Sequence, residues 1–189
     1  LLGSFVVLLL LGVPVAFALA VSALATLLYL DLPSIVLVQQ ISAGSGAVSL
    51  IAIPLFIFAG ELMLRGGISE RLIGFASALV GRVRGGLGQV SVLSSLFFGG
   101  VSGSALADVS AVGGTMIPQM IQRGYDRDYA VNVCMTAALV ALLVPPSHNL
   151  ILFSAAAGGG ISITDLFAAG IMPALLMTLA MMITGYAVA

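Results

Sequence analysis

Residues 99–108 read Gly99-Gly100-Val101-Ser102-Gly103-Ser104-Ala105-Leu106-Ala107-Asp108, and this stretch decides how the chain around it folds. It lies in the middle of an apolar run bounded by Arg84 and Arg123. Each flank, 86–98 or 109–122, is shorter than the ~20 residues a helix needs to cross a bilayer. Joined, they are too long for one untilted helix, and small, polar, helix-breaking residues divide them. Arginines stand at both outer ends, where charge prefers water. The pattern predicts a re-entrant hairpin over 86–122 that enters the membrane and returns to the side it came from. Irregular backbone at membrane depth survives only when buried in protein or lining a wet cavity. The tip is therefore expected to face a binding site.

Composition supports a bilayer as the solvent. Of 189 residues, 61% are hydrophobic and 7% charged, with a mean hydropathy of +1.26. A soluble domain carries about 25% charge, so an all-α integral membrane protein is expected. The six cationic residues are all arginine, and seven acids bring the net charge to −1. That balance offers no cationic surface for nucleic acid. A single cysteine, Cys134, excludes an internal disulfide and any Cys-based metal motif, and its apolar setting reads as a small buried residue.

Upstream of the hairpin, residues 1–30 are nearly continuous apolar sequence, read as one spanning helix tilted or kinked at Pro14. An amphipathic interfacial segment follows, so 1–46 forms the first section. A second span at 47–64 carries Pro54 and ends near Glu61, an acid within a span that reads either as a functional group or, four residues before Arg65, as half of an end-of-helix ion pair. Residues 68–80 read as a helix lying along the interface, with Gly67 or Ser69 at its start, closing a 47–85 section. Four of the six arginines collect at 65, 71, 82 and 84, which places that connection in the cytoplasm by the positive-inside rule.

Downstream, Arg123 and Arg127 mark a second charged cluster on the same side. Residues 129–157 read as one crossing broken in the middle by Pro145-Pro146-Ser147-His148-Asn149, because proline removes a backbone donor and clashes with the preceding turn. A glycine turn at 158–160 closes the 123–160 section. A last span at 171–189, within a 161–189 section, brings the expected crossings to four.

A hairpin and a broken helix in one membrane domain point to a transporter, where interrupted helices bring their ends to the midplane. Ser102, Ser104, Ser147 and Asn149 supply hydroxyl and amide oxygens of the kind a hard cation such as sodium accepts. Small residues that merely let helices pack are the alternative. Carbonyls around Pro145, Pro146 and Ser147, with the hydroxyls of Ser102 and Ser104, make the candidate sodium site. Both interruptions leave carbonyls unpaired at similar depth, and a cation would satisfy several of them.

Four blocks then carry a resemblance: "SLIAIPLFIFAGELMLRGGIS", "RGGLGQVSVLSSLFFGGVSGSALADVSAVGGTMIPQM", "GYDRDYAV" and "LVPPSHNLILFSAAAGGGISITDLFAAGIMPALL". Together they resemble the large membrane subunit of the tripartite ATP-independent periplasmic (TRAP) transporters, over its N-terminal half. The resemblance implies one inverted-repeat half of an elevator-type secondary transporter in the bacterial inner membrane. It implies sodium-coupled uptake of a small organic acid, such as a dicarboxylate, sialic acid or sugar acid. A periplasmic substrate-binding protein would deliver the substrate, and a small four-helix membrane subunit would complete the complex. It also implies that Ser102, Gly103 and Ser104 form the tip facing sodium and substrate, and that Pro145, Pro146, Ser147 and Asn149 form the facing break. The second hairpin and second broken helix would belong to a missing half, leaving this segment incomplete as a transporter.

Two residues are assigned supporting roles. Asp108 reads either as an acid holding loop amides or a tip hydroxyl, or as the N-cap of the return arm. His148, the only histidine, reads as a partner for a carbonyl freed by the double proline, or as a substrate contact. No arginine lies within the expected membrane depth, so a carboxylate would be held by helix dipoles, hydroxyls, sodium or the other half. Two rival functions remain on the sequence alone. Gly100-Val101-Ser102-Gly103 matches the G-x-S-G pattern of rhomboid-type proteases, making Ser102 and His148 a possible dyad. The other is a passive channel or assembly subunit without a site of its own.

Overall fold

The computed structural model describes residues 1–31, 33, 35–46, 48–157 and 160–188, and every regular element among them is a helix. The chain divides into two units, Leu1–Val48 and Ser49–Ala189.

In the first unit, α1 (Leu2–Leu10) and α2 (Val15–Tyr29) replace the single helix expected over 1–30. Pro14 has no amide hydrogen to continue the ladder, and Gly12 takes φ +78°, so the helix ends rather than bends. The two helices then pack on one another. Helix α3 (Ile35–Ser45) follows in the expected interfacial segment; residue 47, where the second span is expected to begin, lies outside the described residues.

The second unit opens with α4 (Val48–Arg65) and α5 (Ile68–Val80), bent by 71° relative to each other. Gly67 in the left-handed region, φ +75°, ends one helix and starts the next. Arg65 Nε meets Glu61 Oε1 at 2.9 Å, the end-of-helix ion pair the spacing anticipates. Helix α6 (Gly86–Ser102) begins after Gly85, also left-handed at φ +72°, and ends at Gly103. The chain returns through α7 (Ala105–Asp108), a π-helical turn at Val109–Gly113 and α8 (Gly114–Gln122). Contacts between α6 and each part of this return segment make the pair a helical hairpin. π-Turns of this kind occur mostly as single insertions in α-helices, frequently at functional sites.

Asp126 caps α9 (Arg127–Ala138), accepting from the amides of Asp128 and Tyr129 at 2.8 and 3.2 Å. The helix tightens into a 3-10 turn at Val140–Leu142, unwinds over 143–147, and resumes as α10 (His148–Ala156). Gly158 and Gly159 of the expected glycine turn lie outside the described residues. The last helix, α11 (Ile163–Val188), begins eight residues before the span expected at 171. Asp165 sits in its first turn, where an acid complements the helix dipole, and Pro173 is carried inside the helix. Among the described residues α11 alone is long and apolar enough to cross a membrane as one helix; α4 and α5 pass that test only as a bent pair.

The hairpin sits at the centre of this unit. Ile73 and Ala76 of α5, Leu87, Val90 and Phe98 of α6, Met116 and Met120 of α8, and Ala130 and Cys134 of α9 form one buried cluster. On another side of α6, Gln89 donates its side-chain amide to the Met182 carbonyl of α11 at 2.8 Å. Gly185 leaves the room, since a Cβ there would lie 3.2 Å from that amide nitrogen. The two arms and the broken helix are thus held in fixed register.

Candidate functional site

The hairpin tip is built by a glycine between two serines. The Gly103 amide donates to the Gly99 carbonyl at 2.9 Å while Gly103 itself turns left-handed at φ +56°. That conformation ends α6 without the steric cost a Cβ would bring. Ser104 is extended and caps the return arm, its Oγ accepting from the Ala107 amide at 3.5 Å. Asp108 is therefore not the cap that the sequence offered as one of its readings. Ser102 Oγ accepts from the Ser104 amide at 3.4 Å and lies 3.5 Å from the Ser104 carbonyl. Bonds this long are at the weak end of hydrogen bonding, so both tip hydroxyls keep capacity for another partner.

The break is held differently. Ser147 is fully buried and its Oγ donates to the Leu142 carbonyl at a tight 2.6 Å, bridging the gap in the helix ladder. The Pro145–Pro146 peptide is cis. The Ile151 amide reaches back to the Ser147 carbonyl at 3.2 Å and so restarts the helix.

Tip and break meet through backbone. A Cβ on Gly99 would stand 2.6 Å from Ala141 Cα, and one on Gly103 would overlap the Pro146 carbonyl oxygen. Gly100 lies alongside at ordinary contact distance from Val144. From the far side, α11 approaches at Gly170, where a Cβ would lie 2.5 Å from the Leu143 carbonyl. The structure therefore brings Ser102, Gly103 and Ser104 together with Pro145, Pro146 and Ser147.

A cleft of about 200 Å³ opens beside this junction, lined in part by Gly60, Glu61, Ser102, Ser104, Ala107 and His148. Gly60 brings α4 against the tip, 3.5 Å from the Val101 carbonyl as measured from an added Cβ. His148 joins the lining, and its Nε2 is buried without a hydrogen-bond partner. The partner carbonyl offered for it by the sequence is thus not there for Nε2. Asn149 does not join: it is exposed and outside the lining. Glu61 stood out in sequence as an acid within a span, but neither it nor Gly60 was legible as a neighbour of the tip, because their approach depends on how α4 packs and not on local spacing.

Asp108 lies below the tip and is 1% exposed. Its Oδ2 accepts from Ser95 Oγ of α6 at 2.7 Å, cross-bracing the two arms, while Oδ1 has no partner. The acid holds a hydroxyl, as one reading anticipated, but on the outgoing arm rather than at the tip. One helical turn earlier, Ser91 Oγ contacts the buried Cys134 Sγ at 3.2 Å, tying the same face of α6 to α9. Among the described residues, His, Cys, Asp and Glu form no group of three or more placed to hold a metal ion.

An all-helical chain of this composition, folded around a hairpin whose tip abuts a broken helix, is an α-helical membrane protein of the transporter class. It belongs to the tripartite ATP-independent periplasmic transporter family, DctM component, whose pattern matches residues 2–189. It is 39% identical over 176 residues to the sialic acid TRAP transporter large permease protein SiaM of Vibrio cholerae, covering 93% of this chain and 41% of that one. To the C4-dicarboxylate TRAP transporter large permease protein DctM of the same organism it is 38% identical, covering 93% and 39%. To the 2,3-diketo-L-gulonate TRAP transporter large permease protein YiaN of Escherichia coli it is 37% identical, covering 92% and 40%. The chain spans about two fifths of the length of these curated relatives. The family is one of transporter permeases and not enzymes, which removes the protease reading of Ser102 and His148.

Proposed function

We propose that this segment is the first half of a permease for sodium-coupled uptake of a small organic acid in the bacterial inner membrane. A periplasmic binding protein hands over the substrate, and a small four-helix membrane subunit completes the complex. The observation that carries the reading is the junction of tip and break, where Gly99 and Gly103 admit the backbone of Ala141 and Pro146 more closely than a Cβ would allow. Relatives named for sialic acid, C4-dicarboxylate and 2,3-diketo-L-gulonate support an acid as the substrate class.

In this reading the hairpin is re-entrant, with Arg84 and Arg123 on one face and residues 102–104 near the midplane. Sodium rests on the hydroxyls of Ser102 and Ser104 and on carbonyls of Pro145, Pro146 and Ser147, each of which otherwise costs several kcal/mol, roughly, when unpaired in hydrocarbon. Ser147 donates its proton to Leu142, which leaves its lone pairs free for a cation. The first amides of α10 and of the return arm face substrate carboxylate as the positive ends of helix dipoles. The second half of the elevator supplies the rest of the site, including any contact made by the exposed Asn149.

The test uses the complete permease with both partners in proteoliposomes, following labelled organic acid under a sodium gradient. Ser102→Ala should raise the sodium concentration for half-maximal uptake at unchanged protein level. Uptake that ignores sodium, or a variant with wild-type sodium dependence and reduced rate, overturns the cation assignment. No uptake of any acid with all components present favours a passive assembly role.

A further inference from the structure

We infer that the outer face of α5, with the loop that follows it, is a binding surface for the phosphate headgroups of anionic phospholipid. The inner face of this helix is occupied, since Ile73 and Ala76 are buried against the hairpin. Its outer face is open: Leu79 is 56% exposed and Val83 in the loop 43%, while Phe75 at the edge, its ring 5.4 Å from that of Phe97 of α6, still leaves 54% of its surface exposed. At 3.6 residues per turn, Arg71, Phe75, Ala78 and Arg82 fall within an arc of about 60°. Gly81, at φ −63° and ψ −17°, carries the helical path far enough to bring Arg82 into that row. An apolar stripe therefore runs between two arginines roughly 16 Å apart along the axis, with Arg84 beside the second.

Among the described residues these arginines pair with no acid. The ion pair among the described residues is Arg65 with Glu61, and Arg71, Arg82 and Arg84 form none. The 71° bend between α4 and α5 turns the second helix well away from the direction of the first. If α4 runs along the membrane normal, α5 lies close to the membrane plane, where an apolar stripe meets acyl chains and flanking guanidinium groups meet headgroups. Guanidinium binds phosphate in a bidentate fork, which suits a phosphodiester better than a zwitterionic surface whose choline offsets the charge. A soluble anion would use the arginines but leave the stripe in water, whereas a lipid occupies both.

The experiment is retention of lipid by the complete permease complex, read by native mass spectrometry after release from nanodiscs of equimolar phosphatidylglycerol and phosphatidylcholine. Phosphatidylglycerol should be enriched on the wild-type protein, and enrichment should fall as salt is raised. Each arginine replaced by glutamine should weaken binding about fivefold, the effect of one basic residue near an anionic surface. Lysine at all three positions should restore most of it. Arg84→Gln lies in an exposed loop and is read alone if the triple variant does not fold; it should give its own fivefold loss. Equal retention of the two lipids, or enrichment that survives Arg84→Gln and the triple variant, overturns the inference. Loss of the small membrane subunit from the variants, with lipid enrichment unchanged, would make this a protein-docking face and overturn it equally. Transport plays no part in the readout, so the result stands apart from the sodium reading.

Discussion

Replacing Gly103 with alanine tests the junction directly. The residue is left-handed at φ +56°, and a Cβ there would overlap the Pro146 carbonyl oxygen while standing 3.1 Å from Ser147 Cα. The conformation alone costs an alanine roughly 1–2 kcal/mol. Relieving the overlap moves two pieces of backbone apart, typically about 1–3 kcal/mol. The junction should therefore open by about 2–5 kcal/mol, and at ~1.4 kcal/mol per tenfold the closed arrangement loses at least roughly 30-fold in population. Two comparisons separate the causes. Gly124 is left-handed at φ +86° with nothing within 4 Å of an added Cβ, so Gly124→Ala measures the conformational cost alone. Gly100 is helical, with Val144 and the Pro145 carbonyl at 3.5 and 3.7 Å, so Gly100→Ala should be neutral or slightly stabilising. Uptake by the complete complex and thermal unfolding of the purified permease are the two assays. Gly103→Ala should lose most uptake, Gly124→Ala should lose stability only, and Gly100→Ala should keep both. Equal effects at 100 and 103, or wild-type uptake in Gly103→Ala, would refute the close backbone contact.

Further outcomes follow from the buried polar pairs and the hairpin itself. Removing Ser95 or Asp108 singly should destabilise by about 1–3 kcal/mol, since each leaves a buried group unsatisfied, and the double variant Ser95→Ala/Asp108→Ala should lose less than the sum in thermal unfolding. Gly185→Leu should push the Gln89 amide off the Met182 carbonyl and lower the melting temperature, whereas Gly114→Ala, with open space around it, should not. Single cysteines at 84 and 123 should react with an impermeant maleimide from the same face of the membrane; labelling from opposite faces would make 86–122 a span.

Much of the arrangement was written locally. Arg84 and Arg123 bound the hairpin, Gly103 turns it, and two consecutive prolines mark where the second helix must break; each effect acts within a few residues, so spacing alone located them. What was missed depends on packing at a distance. The run over 1–30 reads as continuous because hydropathy does not register that Gly12 and Pro14 together end a helix. The last helix begins at Ile163 rather than 171, because a polar first turn at Thr164 and Asp165 resembles loop until the helix dipole is considered. Asn149 and His148 are neighbours and so point about 100° apart on a helix; the orientation of α10 turns His148 to the cleft and leaves Asn149 exposed, which their adjacency in sequence does not announce. Ser95 as the partner of Asp108 needs the return arm in place, which its thirteen-residue separation does not announce.

The serines at the junction also divide by how tightly they are held, and this separates two roles the sequence had merged. Ser147 is fully buried and gives its hydroxyl to the Leu142 carbonyl at 2.6 Å, so alanine there leaves that carbonyl orphaned in a region where water is scarce. The loss should be about 1–3 kcal/mol of stability, visible in unfolding whether or not sodium is present. Ser102 makes only contacts of 3.4 and 3.5 Å, so Ser102→Ala should change unfolding little in the absence of sodium. Sodium should then raise the melting temperature of wild type more than that of Ser102→Ala, because binding to the folded state stabilises it by mass action. Ser147→Ala should begin from a lower melting temperature and keep part of the sodium response, since its backbone carbonyl remains. If Ser147→Ala unfolds like wild type and Ser102→Ala is the unstable one, the hydroxyl at the break is not the brace that its geometry describes, and the tip carries the structure instead.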